Sequence, residues 1–298
     1  MKIGIIGVGS ICKKAYLPII TSREDIEIIL CSRNKDVLLD ISKKYRIQNF
    51  TTSVEELIEM GIDCAFVHSS TESHYKICEK LLNNGIHVYV DKPISYSLDE
   101  ALELSNIAKK NGKMLMTGFN RRYAPMVADL KTLGKPHIII IEKNRVNLPG
   151  IPRVFVFDDF IHVVDTLRFL IGNDYKTLTV DSLKDECGLK NVVIKLSNEF
   201  TTAIGIMNRD NGIREETMEY MASGKKAIVS NLCETSYFEN RTIFTKKFGD
   251  WDHTLAKRGF INIIDDFLKR VKENTPSYDL LDDSIKTHRL CEDIIKKL

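Results

Sequence analysis

The chain has 298 residues, with 43 lysines and arginines against 41 aspartates and glutamates, a net charge of +2 and 43% hydrophobic residues. That balance gives no electrostatic case for nucleic acid or an anionic membrane, and no window nears the roughly 18 apolar residues of a membrane span. Seven scattered cysteines, with no CxxC pair and no cluster with histidine, point to a reduced, cytoplasmic protein without a metal site.

The length suits two domains, each with its own core. Over the first 120 residues, short apolar runs alternate with helical patterns, as in a parallel sheet covered on both faces. The first strand, 2–7, leads into Gly7-Val8-Gly9-Ser10-Ile11-Cys12 and a helix over 11–22. Glycines in that context permit a tight turn and a close approach to a pyrophosphate at a helix N-terminus. Cys12 stands in the third glycine position, where a small residue still allows close packing. The second strand, 26–32, ends in Cys31-Ser32-Arg33-Asn34, with no carboxylate before Asp36. An NAD site usually offers an acidic residue there. A hydroxyl and an arginine suit a 2′-phosphate instead, so NADP(H) is expected over NAD(H), unless Arg33 is only a solvated loop residue.

Helices follow over 35–45, 54–60, 72–84 and 98–111, and further strands over 63–68, 86–91 and 113–119. The strand at 86–91 runs into Asp91-Lys92-Pro93. Ligands of open α/β sheets bind beyond the carboxyl ends of the strands. A lysine placed there can hydrogen-bond a substrate oxygen and stabilise alkoxide-like charge; it could equally be a surface lysine before a turn proline.

After residue 120 the pattern changes. A connecting helix over 121–133 is expected, then a strand over 137–143 and a loop over 147–155 that could cover a pocket. Residues 158–171 read as a helix closed by Gly172, apolar on most faces, with Asp158, His162 and Asp165 stacked at i, i+4 and i+7. One reading makes Asp158 and Asp159 N-terminal caps and His162 a satisfied core histidine; the other makes the stripe chemical. Strands over 178–183, 191–197, 200–207, 216–223 and 226–230 predict a mostly antiparallel sheet, and helices over 257–273 and 280–297 end the chain. Asn120, Arg121, Arg122 and Tyr123 at the junction, and Arg145, Arg153 and Arg209 beyond it, are candidates for substrate groups.

The combination resembles the Gfo/Idh/MocA family of nicotinamide-dependent oxidoreductases, related to glucose–fructose oxidoreductase and inositol dehydrogenase. The family's Glu-Lys-Pro stands here as Asp91-Lys92-Pro93, and its Asp-x-x-x-His as Asp158 to His162. "FVHSSTESH", "GFNRRYAP" and "DDFIHVVDT" look closest to a bacterial branch labelled virulence-factor-like (MviM-like). The resemblance covers essentially the whole chain and is weakest after Met207.

The resemblance implies an N-terminal Rossmann dinucleotide-binding domain over 1–120. It also implies a C-terminal α+β domain over 121–298, with a mostly antiparallel open sheet. Cofactor would be held by Gly7, Gly9, Ser10, Ile11, Ser32, Arg33, Ser69, Ser70, Thr71, His74, Asp91 and Lys92. Substrate would meet Asn120, Arg121, Tyr123 and Asp158 in an interdomain cleft. His162 becomes the acid/base and Lys92 its assistant, while Asp165 either holds the second imidazole nitrogen or is a buried helix-to-backbone link. Phe160 replaces the family's usual small residue two before the histidine, which makes a typical sugar substrate less secure. The open sheet implies a homodimer or a dimer-based tetramer.

The expected activity is hydride transfer between NADP(H), with NAD(H) as second choice, and a hydroxyl or carbonyl of a sugar-like or related small metabolite. Imine or enone reduction on the same fold is a second enzymatic reading. A non-catalytic dinucleotide- or metabolite-sensing regulatory protein is the alternative from another class. The joint presence of Lys92, Asp158 and His162 speaks against it, since a sensor needs no acid/base.

Overall fold

The computed structural model describes residues 1–172 and 174–298. The chain forms two compact units, one of Met1–Gly118 with Ile263–Lys286, the other of Phe119–Asn262 with Thr287–Leu298. The division after Gly118 lies two residues before the expected one. Residues 263–286, which the sequence reading left in the second domain, pack with the first.

The first unit begins with β1 (Lys2–Ile6), a π-helical turn (Cys12–Tyr16) running into α1 (Leu17–Ile20), β2 (Glu27–Cys31) and α2 (Lys35–Tyr45). Then come β3 (Asn49–Thr51), α3 (Val54–Glu59), β4 (Cys64–Val67), α4 (Thr71–Asn83), β5 (His87–Val90), α5 (Leu98–Lys110) and β6 (Leu115–Thr117). The sheet order is β3-β2-β1-β4-β5-β6, and every pairing is parallel. Side chains start the helices where the sequence supplies them: Asn34 accepts from Val37 N, and Ser53 from the amides of Glu55 and Glu56. β4 and β5 are buried along their whole length, as central strands covered by helices require. β3 escaped prediction because three residues carry no period. Phe267, from the returning segment, sits edge-on to Phe66 with ring centroids 5.0 Å apart. The strand order reverses between β1 and β4, so the turns that follow these two strands flank the switch point where such folds bind nucleotides.

The second unit opens with a 3₁₀ turn (Asn120–Tyr123), α6 (Pro125–Ala128) and another 3₁₀ turn (Asp129–Leu133), so the expected helix over 121–133 is broken at Pro125. β7 (Pro136–Asn144) follows, then α7 (Pro152–Phe155), a π-helical stretch (Val156–Phe160) and α8 (Ile161–Ile171). The remaining strands are β8 (Thr177–Asp185), β9 (Gly188–Ser197), β10 (Thr202–Asn208), β11 (Glu215–Ala222), β12 (Lys225–Ser230), β13 (Glu234–Glu239) and β14 (Thr242–Lys247).

Their order is β14-β13-β12-β11-β7-β10-β9-β8, antiparallel except for the β7–β10 pair. The β13–β14 hairpin was not anticipated; its turn is Asn240-Arg241, both at positive φ. α8 lies against β10 so closely that a Cβ on Gly205 would meet Leu167 Cδ1 at 2.8 Å and Val163 Cγ1 at 2.9 Å. That contact buries the apolar stripe of α8 and fixes its height above the sheet. α9 (Thr254–Lys257), α10 (Phe260–Glu273) and α11 (Tyr278–Ile295) complete the chain.

Candidate active site

In the first unit, the turn after β1 has the shape a dinucleotide requires. Gly7 has φ of +86°, and a Cβ there would lie 2.6 Å from Ser69 N and 2.7 Å from the carbonyl carbon of His68. Only glycine allows the β1 turn to lie directly against the β4 turn. A Cβ on Gly9 would meet nothing within 4 Å, which leaves room for a ligand at that backbone. The helix starts at Ser10, and Lys13 N donates to Gly9 O at 3.1 Å. Ser10 and Ile11 are exposed, whereas Cys12 is fully buried. Burial, then the charge of Asp91, pushes the Cys12 thiol up to about 12, so it acts as a small packing residue.

At the end of β2, Ser32 is half-buried and anchored through its amide to Thr51 O at 3.2 Å. Arg33 is exposed, and no hydrogen bond or ion pair holds its side chain among the described residues. After β4, the Ser70 hydroxyl caps no amide of α4, while Ser73 Oγ donates to Ser69 Oγ at 2.8 Å. Thr71 opens α4. His74 is buried, its ring nitrogens 2.9 Å from Pro93 O and 3.1 Å from Ser69 O. It is therefore a clamp between the β4 and β5 turns, with both nitrogens occupied by main chain.

Asp91 Oδ1 accepts from Lys92 N at 2.8 Å, and Lys92 is half-buried before a cis peptide bond to Pro93. Beneath this turn, Tyr16 Oη and Tyr89 Oη lie 2.9 Å apart. The sequence reading missed His68. Its ring lies tilted against Tyr16 at 3.9 Å between centroids, and neither nitrogen has a hydrogen-bond partner among the described residues. Burial, then neighbouring His74, pulls its pKa down to about 3, so the ring is neutral. Its position, immediately after β4 and before Ser69, was the available signal.

In the second unit, the helix carrying Asp158 and His162 begins at Pro152, with Ile151 as the capping position. Asp158 and Asp159 thus lie inside the helix, which overturns the capping explanation. The π-helical geometry of Val156–Phe160 adds a residue to the turn and changes the rotation of both aspartates relative to a plain α-helix. Asp159 faces inward and accepts from Lys143 Nζ and from Arg145 through Nε at 2.8 Å and Nη2 at 2.9 Å. Burial alone would raise the Asp159 carboxyl, but Lys143 and Arg145 hold it well below the carboxylate range. Lys143, fully buried, is drawn down to about 7 by burial and then by the Arg121 guanidinium. Lys143 was also missed, although it continues the inward alternation of Ile139 and Ile141 on β7.

Asp158 and His162 remain half-buried, and Phe160 is fully buried. Asp165 is 1% exposed and held by two nitrogens of Arg122 and by Thr287 Oγ1 at 3.0 Å, so its partners are side chains and not the main chain that the structural reading expected. Asn120 and Arg121 are likewise committed inside the unit. Asn120 Nδ2 donates to Arg258 O at 2.8 Å, and Arg121 forks onto Glu216. Both expected substrate residues thus have side-chain partners within the unit; Tyr123 is half-buried. Arg153 pairs with Glu292 at 2.8 and 3.1 Å. The loop after β7 is pinned by Leu148 N on Arg209 O at 2.7 Å and by a bridge between Gly150 and Leu189. All seven cysteines are free thiols, and no described helix is long and apolar enough to cross a membrane.

Comparison with known proteins agrees with this geometry. Residues 1–119 match the GFO_IDH_MocA model, described as an oxidoreductase family with an NAD-binding Rossmann fold, and residues 125–240 match the YceM-like C-terminal domain. YceM of Salmonella typhimurium strain LT2, named as an oxidoreductase, is 32% identical, covering 98% of this chain and 96% of its own. Myo-inositol 2-dehydrogenase of Thermotoga maritima is 25% identical over 93% of this chain and 90% of its own. The crystal structure of a dehydrogenase (MviM) from Clostridium difficile superposes with a TM-score of 0.96 at 35% identity, covering 100% of this chain and 99% of that one. The glycine cradle at the switch point, the Asp-x-x-x-His helix and these full-length matches lead to one assignment: the chain belongs to the Gfo/Idh/MocA family of oxidoreductases.

Proposed function

We propose that this oxidoreductase exchanges a hydride between NADP(H) and a hydroxyl or carbonyl carbon of a sugar-like or related small metabolite. The observation that carries the cofactor choice is the β2 terminus: an exposed, unpaired Arg33 beside the Ser32 hydroxyl, with no carboxylate in the position that would repel a 2′-phosphate. The cradle of Gly7, Gly9, Ser10 and Ile11 fits a pyrophosphate, because a Cβ at Gly7 is excluded and Gly9 faces open space. Ser69, Ser70 and Thr71 would line the nicotinamide side, and His74 would position them. A nicotinamide dinucleotide bound there supplies the hydride acceptor or donor.

The chain's own residues do the rest. His162 takes the hydroxyl proton at an imidazole nitrogen during oxidation and returns it during reduction. Asp158, one turn earlier, orients the substrate or the imidazole. Lys92 donates a hydrogen bond to the reacting oxygen and steadies its developing charge, while Asp91 fixes the Lys92 main chain. Tyr123 and Asp158 are the remaining candidates for substrate contact. The relative named as a myo-inositol 2-dehydrogenase supports a secondary hydroxyl on a polyol as the reacting group.

The free thiols support a cytoplasmic setting. The sheet face opposite α8 carries the exposed Ile138 and the half-buried Ile140, Ile204 and Ile206, with Ile228 beyond Glu219, which supports pairing with a second copy as a dimer or dimer-based tetramer.

A fluorescence titration with NADPH and NADH tests the reading. Preference for NADPH, lost in Arg33→Asp, is expected. A preference for NADH would reverse the cofactor choice, and binding of neither would bring forward the regulatory alternative.

A further inference from the structure

The second unit contains a buried cationic cluster larger than structural pairing requires. Lys143, Arg145 and Arg209 converge on one carboxylate, Asp159; the next carboxylate along the helix, Asp158, lies within electrostatic range of Arg209. The neighbouring Arg121–Glu216 pair is internally balanced. Two guanidiniums and the Lys143 amine, whose charge burial weakens, therefore face two carboxylates.

The surplus falls on Arg209. Its side chain is 9% exposed, and its nearest approach to Asp159 is 3.7 Å, beyond a hydrogen bond. Its Nε is shut off from solvent and has no hydrogen-bond partner among the described residues. Arg145 already spends two of its nitrogens on Asp159. The guanidinium of Arg209 lies over the Phe155 ring at 4.8 Å, and a Cβ on Gly150 would approach its Nη1 to 3.2 Å. The main chain around it is fixed as well, through Arg209 N on Lys190 O and Leu148 N on Arg209 O, each at 2.7 Å.

A buried guanidinium with one long ion pair and no side-chain hydrogen bond among the described residues keeps donors that an added acceptor would satisfy. An anion would be such an acceptor, since a planar five-donor fork suits a carboxylate or phosphate. Resting on the oxidoreductase reading above, we infer that Arg209, with Arg145 beside it, is an anion-recognition site of the substrate pocket, and that the substrate carries a carboxylate or phosphate besides its reacting hydroxyl. Lys143 and Asp159 position this pair: Asp159 aims Arg145, and Lys143 sets Asp159. Asp158 then separates the anionic end of the substrate from the end that meets His162.

The test is thermal unfolding of the full chain, with and without saturating NADPH, in inorganic phosphate, acetate or chloride at matched ionic strength. A rise of roughly 2–3 °C is expected for phosphate or acetate over chloride at about ten times the dissociation constant. Arg209→Gln, which keeps size and polarity but removes the charge, should abolish the rise and leave NADPH affinity unchanged. Phosphate alone acting marks a phosphorylated substrate, and acetate alone a carboxylic one. No rise in the parent protein, or an equal rise in Arg209→Gln, overturns the proposal. If NADPH fails to bind while the Arg209-dependent rise persists, the oxidoreductase reading falls and the anion site stands.

Discussion

His68 shows what a single buried side chain dictates. With both ring nitrogens unpaired and the ring packed on Tyr16, protonation would place an unsolvated charge in the core. The folded pKa of about 3 lies below the ordinary 6.5, so the unfolded chain binds the extra proton between those values. Stability is therefore full above pH 6.5 and falls as pH drops toward 3, by up to about 5 kcal/mol. Denaturant midpoints between pH 7 and pH 4 should fall less steeply in His68→Gln than in the parent, and equal slopes would contradict the assignment. At the chemical positions, Lys92→Ala and His162→Ala should each lower turnover roughly 10²–10⁴-fold with little change in NADPH affinity. Loss of cofactor binding in step with turnover would make them structural. Motif spacing singled out Lys92, Asp158 and His162, because each belongs to a short contiguous pattern. Lys143 and His68 were not found that way, since neither a lysine in an isoleucine-rich strand nor a histidine at a strand end shows its partners in one dimension.

At the scale of elements, the π-helical stretch before α8 decides which aspartate is buried. Asp159 turns toward β7 and ties helix to strand through Lys143. The two members of that pair should not be equivalent. Asp159→Asn leaves Lys143 and Arg145 without their carboxylate and should cost about 3–5 kcal/mol in denaturant unfolding. Lys143→Met should cost much less, because Asp159 keeps Arg145 and an apolar chain fits the site. Equal losses would show that packing of the lysine stem, not charge, holds the element. In the first unit, Gly7→Ala should lower stability and dinucleotide affinity together, since the methyl group forces the β1 and β4 turns apart. Periodicity revealed the long buried strands and the amphipathic helices. It missed β3 and the β13–β14 hairpin, whose short or exposed runs carry little hydrophobic signal.

On the scale of the whole molecule, the second unit's sheet buries one face under α8 and leaves the other half-exposed. Ile140 and Ile204 are register partners on that outer face. Light scattering at micromolar concentration should give a dimer or tetramer for the parent and a smaller species for the double variant Ile140→Lys, Ile204→Lys. A monomeric parent would remove the oligomer from the proposal.

The order of strands and helices, the glycine turn, the basic end of β2 and the Asp-x-x-x-His helix were legible in the chain itself, because each is local: a period, a turn or a spacing within a few residues. Three outcomes were not. Residues 263–286 join the first unit because Phe267 fits the gap beside Phe66 and Tyr89, a fit between segments some 200 residues apart. Arg121 and Arg122 are paired because Glu216 and Asp165 arrive from distant elements to neutralise them. Arg209 reaches only Asp159, at 3.7 Å, a carboxylate that Lys143 and Arg145 already hold, and only the folded arrangement of charges could separate these three arginines.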